Sequence, residues 1–153
     1  MSKPEFVYVT YIETTPEKLW AALTDGDFTG RYWFGARLKS DWTVGSSFEM
    51  LRSDGAVSDR GKVVEFDRPR RLAYTFVNIS EKYSNDRPAL ATFVLEPFGN
   101  LVKLTLTHQG FADGSKFFDG VSKGWPAILS SLKSILETGR PLEIPFEALK
   151  FEG

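Results

Sequence analysis

His108 is the only imidazole in the chain, and there is no cysteine. A multi-histidine metal site, a thiolate ligand, a thiol nucleophile and a disulfide are therefore all excluded. No metal and no cofactor are expected. His108 reads in two ways. It is either a polar anchor for a ligand carbonyl or hydroxyl, or a general base, or it is a hydrogen-bonded histidine near a strand end. Arg52 could recognise an acidic ligand, or its head could snorkel to water. Asp59, Glu65 and Asp67 are the candidate carboxylates. Glu65 alternates with Val64 and Phe66, which leaves it exposed or paired with a nearby arginine. Arg68, Arg70 and Arg71 read as a solvated turn. A catalytic triad would need His108 beside an unmarked Ser and Asp, and Val44-Gly45-Ser46-Ser47 lacks the lysine of a phosphate loop. No catalytic residue is assigned.

These groups must be positioned by short elements. A strand is expected at 6–13, and Thr15-Pro16-Glu17 starts a helix: a capping hydroxyl, a proline suited to the first turn and an acid at the positive end. Asp25-Gly26-Asp27 interrupts it, and a second short helix is expected over 28–33. Alternating runs predict strands at 37–41, 46–52, 60–67, 71–78, 89–96 and 101–109. Asp54-Gly55 and Gly99-Asn100 are hairpin signals. No connection in this stretch holds a crossover helix, so the strands are expected to be antiparallel. A long helix is predicted over 115–138, with Phe118, Val121, Trp125, Ile128, Leu132 and Leu136 on one stripe. Pro126 predicts a kink rather than a break, and Gly139-Arg140-Pro141 ends the helix. Only this helix is long enough to cover the sheet. The fold class is therefore α+β, a curved antiparallel sheet gripping a C-terminal helix.

Composition fits that picture. The chain has 153 residues, 25% of them charged, and a formal net charge of -1 at pH 7. That balance gives no general nucleic-acid or anionic-membrane surface, and the aromatics are not interleaved with a basic stripe as in a single-strand binder. No apolar run reaches the roughly twenty residues a membrane-spanning helix needs, and MSKPEF lacks the apolar core of a signal peptide. A cytoplasmic protein is expected.

The segments IETTPEKLWAALTD (12–25), DRGKVVEFDRPRRLAYTF (59–76), ATFVLEP (91–97), LTLTHQGF (104–111) and GWPAILSSLKSILETG (124–139) carry a family likeness. With the element order, they resemble the helix-grip fold of the START / Bet v 1-like (SRPBCC) superfamily. Within it they are similar to the small bacterial single-domain branch of activator-of-heat-shock-protein-ATPase homologues. The resemblance implies one domain over 1–139, with a pocket between sheet and long helix. Members are often carriers or sensors of ligands, some are cyclases or hydrolases, and a eukaryotic branch is a co-chaperone.

Strand parity suggests what would line such a pocket. Val102, Leu104, Leu106 and His108 share one face, as do Ala91, Phe93 and Leu95; Leu72, Tyr74 and Phe76; Phe48, Met50 and Arg52; and Tyr8, Thr10 and Ile12. The expected ligand-binding set is Tyr8, Trp33, Phe48, Met50, Arg52, Tyr74, Phe76, Phe93, His108, Trp125 and Ile128. The same aromatics could equally be plain core. Trp33, Phe34 and Trp42 could form a mouth or a satellite cluster. The leading expectation is non-enzymatic binding of a small aromatic or lipid-like molecule. The alternatives are a cyclase or hydrolase using His108, Tyr74 or Arg52, and a chaperone-ATPase modulator acting through its surface. Nucleic acid and stable membrane insertion are not expected.

The tail, 140–153, is rich in large apolar residues: Leu142, Ile144, Phe146, Leu149 and Phe151. Left in water they would be a sticky patch. The tail is expected to pack on the domain or on a second copy, with 146–151 forming a helical turn or a docking strand. The chain is then a monomer or a homodimer.

Overall fold

The computed structural model describes residues 5–149. Seven antiparallel strands form one sheet in the order β1-β7-β6-β5-β4-β3-β2. They are β1 (Phe6–Ile12), β2 (Arg37–Ser40), β3 (Ser47–Leu51), β4 (Val57–Asp67), β5 (Arg71–Asn78), β6 (Ala89–Phe98) and β7 (Leu101–Gln109). Between β1 and β2 lie α1 (Pro16–Thr24) and α2 (Gly26–Tyr32), and after β7 comes α3 (Lys116–Thr138). The sheet curves around α3, giving the α+β helix-grip architecture.

Local chemistry accounts for the ends of these elements. Thr15 Oγ1 accepts from the Lys18 backbone N–H at 3.2 Å, with Pro16 in the first turn of α1. Asp25 then accepts from the Asp27 N–H at 2.9 Å and so starts α2 at Gly26, two residues before the expected start. Ser115 accepts from the Phe118 N–H at 2.9 Å and caps α3. One continuous helix passes through Pro126 and ends at Gly139, whose φ of 86° is left-handed. The hairpin turn between β3 and β4 is closed by the Arg52 N–H donating to the Ala56 carbonyl at 2.8 Å.

β4 begins three residues earlier than expected, and β6 runs two residues further, through Pro97. Proline is tolerated there because β5 pairs with β6 only as far as Val94, so the ladder asks nothing of Pro97 on that side. The more consequential difference lies inside β4. A bulge between Val63 and Glu65 shifts its register against β5. Beyond the bulge Phe66 faces Leu72; before it Val63, Gly61 and Asp59 face Tyr74, Phe76 and Asn78. The inward set thus changes from even to odd positions, and Asp59 joins the concave face. Gly61 is a close-approach point: a Cβ there would stand 1.5 Å from the Thr75 carbonyl oxygen of β5.

The core fills one end of the grip. Phe48 and Tyr74 stack at 4.0 Å between ring centroids, with Phe93 at 5.7 Å from Tyr74. Trp20 meets Phe66 edge-on at 5.1 Å. Leu132 and Ile135 bring α3 down onto this layer, and both are buried.

Candidate functional site

At the other end the grip is hollow. A pocket of about 660 Å³ lies between the β3–β4 hairpin end of the sheet and the first half of α3. The helix contributes Phe117, Val121, Trp125 and Ile128, together with Gly120 and Gly124, which present no side chain. The sheet contributes Met50, Phe76, Asp59 and Asn78. The turn after α2 adds Trp33 and Phe34, the segment after β5 adds Ile79 and Tyr83, and the tail adds Phe146.

Trp125 is the pivot of the wall. Its ring contacts Trp33 at 5.1 Å, Phe93 at 5.8 Å and Phe76 at 6.4 Å. Its Nε1–H donates to His108 Nδ1 at 3.0 Å. With Nδ1 accepting, the neutral imidazole carries its proton on Nε2, which has no well-formed hydrogen-bond partner. Burial pushes the His108 pKa down to about 3, opposed in part by a pull from the Ala89 backbone. His108 is 0% exposed, walled off by Phe76, Phe111 and Phe117.

Asp59 is the buried charge of the pocket, at 7% exposure. It lies between Met50 of β3 and Asn78 of β5 in register. The Ser58 hydroxyl donates to its Oδ1 at 2.7 Å. Burial raises its pKa and the Ser58 hydrogen bond works against that rise. Arg52 also reaches the pocket but stays at the rim, 3.3 Å from Asp54, with both side chains more than half exposed. Lys82 sits over the Tyr83 ring at 5.3 Å.

The structure therefore divides the expected ligand-binding set. Trp33, Met50, Arg52, Phe76, Trp125 and Ile128 line the pocket. Tyr74 and Phe93 lie further along the groove, and Phe48, although in register with Phe76 through Gly61, stacks on Tyr74; all three are buried in the aromatic core instead. His108 is buried behind Trp125. Tyr8 is half-buried at the β1 edge, 6.3 Å from Phe6. Of the presumed mouth residues, Phe34 lines the pocket, whereas Trp42 packs on Phe48, Phe66 and Tyr74. Glu65 accepts from Arg71 Nε at 2.8 Å, on the surface. Asp59, Asn78 and the loop aromatics Tyr83 and Phe146 were not in the expected set.

The tail runs back along α3. The Leu142 N–H donates to Ser131 Oγ at 3.0 Å, and Ser134 Oγ donates to the Arg140 carbonyl at 2.7 Å. A short 3-10 turn, Phe146–Leu149, then sets Phe146 edge-on to Phe34 at 5.1 Å, across the pocket mouth. Phe151 lies outside the described residues.

Among the described residues no group of three or more His, Asp or Glu side chains could hold a metal ion. No helix among them is long and apolar enough to cross a membrane.

The family model described as Activator of Hsp90 ATPase homolog 1-like protein matches residues 13–137. No curated protein matches the chain. Among solved structures, a protein from Mesorhizobium loti is 26% identical with a TM-score of 0.75, over 87% of this chain and 96% of that one. Aha1 from Colwellia psychrerythraea, solved as a dimer in solution, is 23% identical with a TM-score of 0.72, over 89% and 98%. An HSP90 activator from Plasmodium falciparum is 22% identical with a TM-score of 0.72, over 86% and 95%.

Proposed function

The chain belongs to the Activator of Hsp90 ATPase homolog 1-like family, and from that premise we propose that it binds a small, largely apolar molecule between sheet and helix without turning it over. The observation that carries the reading is the hollow end of the grip. Some 660 Å³ are walled mainly by apolar side chains, many of them aromatic, and the polar groups come from the sheet and its loops while the helix contributes none. Volume and lining of this kind suit a drug-sized apolar ligand with one or two polar contacts. A cyclase or hydrolase reading loses its catalysts. His108 and Tyr74 do not line the pocket, and Arg52 is engaged by Asp54 at the rim.

A fragment screen by NMR, with a turnover assay on each hit, tests this. Binding should shift the Trp33 and Trp125 indole signals and the Met50 methyl, with the ligand recovered unchanged. A library that yields no hit at these positions overturns the proposal; a hit that is consumed replaces it with an enzyme.

A second reading has its own observation. Val7, Val9 and Tyr11 form an exposed apolar row on edge strand β1, and exposed Phe98 lies 5.2 Å from Tyr11. An apolar edge of this kind suits a protein partner. The family description and the Plasmodium falciparum activator make an Hsp90-type ATPase the partner to try, with a second copy as the competing occupant. Stimulated ATP hydrolysis that is lost in Val9→Lys would support it.

A further inference from the structure

We infer that the polar side of the pocket selects a ligand carrying a protonated amine, held by the Asp59 carboxylate. This rests on the pocket-binding reading above and names the class of ligand. Asp59 is drawn into the concave face by the β4 bulge, 7% exposed, between Met50 and Asn78. Its one hydrogen bond among the described residues comes from Ser58, to Oδ1. A buried carboxylate is stable only when donors fill its lone pairs. Asp59 lines the pocket, so an ammonium group entering it can supply a further donor in place of water. The rings of Trp33, Phe76 and Phe117 line the same pocket, and aromatic rings attract a cation and accept an apolar body.

The other ionisable groups on the described wall are Arg52, Lys82 and Tyr83. Arg52 is at the rim, already facing Asp54 and screened by water; Lys82 is engaged with the Tyr83 ring. Water and salt weaken the field of an exposed cation much more than that of a buried charge. The buried anion therefore outweighs the two rim cations in choosing the ligand's charge. An acidic ligand would have to leave its carboxylate near Asp59 or stop short at the rim.

The experiment compares 1-naphthylmethylamine, 1-naphthalenemethanol and 1-naphthoate by calorimetry and NMR on the full chain. The amine should bind at least about tenfold more tightly than the carboxylate, as a charge-assisted hydrogen bond in a buried site provides. Asp59→Asn, an isosteric change, should bring the two within about threefold. In the unsubstituted protein the amine should also shift the Asp59 carboxyl carbon and the Asn78 side-chain amide. That last measurement needs no variant, so the inference stays testable even if Asp59→Asn folds poorly. Binding of all three probes with no amine preference, a preference for the carboxylate, or an amine preference that survives in folded Asp59→Asn overturns this inference and leaves the pocket reading intact. Failure of all three to bind removes both.

Discussion

The indole N–H of Trp125 donates to Nδ1 of His108 at 3.0 Å, so the one histidine of the chain fixes one of the two tryptophans of the pocket wall. The pair links β7 to α3 across the groove. His108 acts through Trp125, as a positioning residue, and does not itself touch the hollow.

This pair sets a pH dependence. The folded His108 pKa of about 3 lies below the ordinary 6.5. Between those values the unfolded chain takes up a proton that the folded one refuses, so stability rises with pH across that window. The contribution is complete above about pH 6.5 and is lost as pH falls toward 3, by at most about 1.4 kcal/mol per pH unit. In His108→Phe the buried indole loses its acceptor, which should cost about 1–3 kcal/mol at pH 7. Urea unfolding at pH 7.5 and 4.5 should show that deficit shrinking in acid. An equal deficit at both pH values would mean that His108 is not held neutral in the fold.

Asp59 should behave in the opposite sense. Burial raises its pKa in the folded state, so its ionisation at neutral pH opposes folding, and stability from this group falls as pH rises. Asp59→Asn should melt at the same temperature as the parent or higher at pH 7, with the difference closing in acid. A loss above about 1 kcal/mol at pH 7 would show that the carboxylate supports the fold through Ser58 rather than waiting for a ligand.

Leu132 is fully buried where α3 meets the sheet. Leu132→Ala should cost about 2–5 kcal/mol in chemical denaturation, the transfer of a buried leucine plus its cavity. A cost below about 0.5 kcal/mol would mean that α3 is not the element the sheet grips.

The tail is expected to stabilise the body and to close the pocket mouth. Ending the chain after Arg140 removes the Leu142–Ser131 hydrogen bond and the Phe146 ring. Each kcal/mol lost should lower Tm by about 2–4 °C in a chain of this size, and 1-naphthalenemethanol should leave faster. Sedimentation of both forms tells whether a dimer goes with the tail. Unchanged Tm, off-rate and mass would make the tail an appendage.

How far these features could be read from sequence depends on what interrupts periodicity. Caps and turns were legible because Thr15-Pro16, Asp54-Gly55 and Gly139 have few other roles. The inward rows of β5, β6 and β7 were legible because alternation there is unbroken. β4 was not. Val63 and Val64 are equally apolar, so nothing marks the bulge that follows Val63, and simple alternation puts Val64 on the face of Phe66 although it is Val63 that is buried. That is why Asp59 was named as a carboxylate but not as part of the site. His108 shows a second limit: parity gives the face of a residue but not its depth along the groove. Tyr83 and Phe146 show a third, since they come from turns where no period applies.

The division of the groove into a solid end and a hollow end separates two kinds of information in one chain. Phe48, Tyr74, Phe93 and Leu132 encode whether the protein folds. Asn78, Ile79 and Phe34 touch the hollow and stand outside the buried core. Substitutions among the second group can therefore change what the pocket accepts while the first group holds the frame. On the proposed reading, the same backbone can be retuned to new small molecules one wall residue at a time, with little need for compensating changes elsewhere.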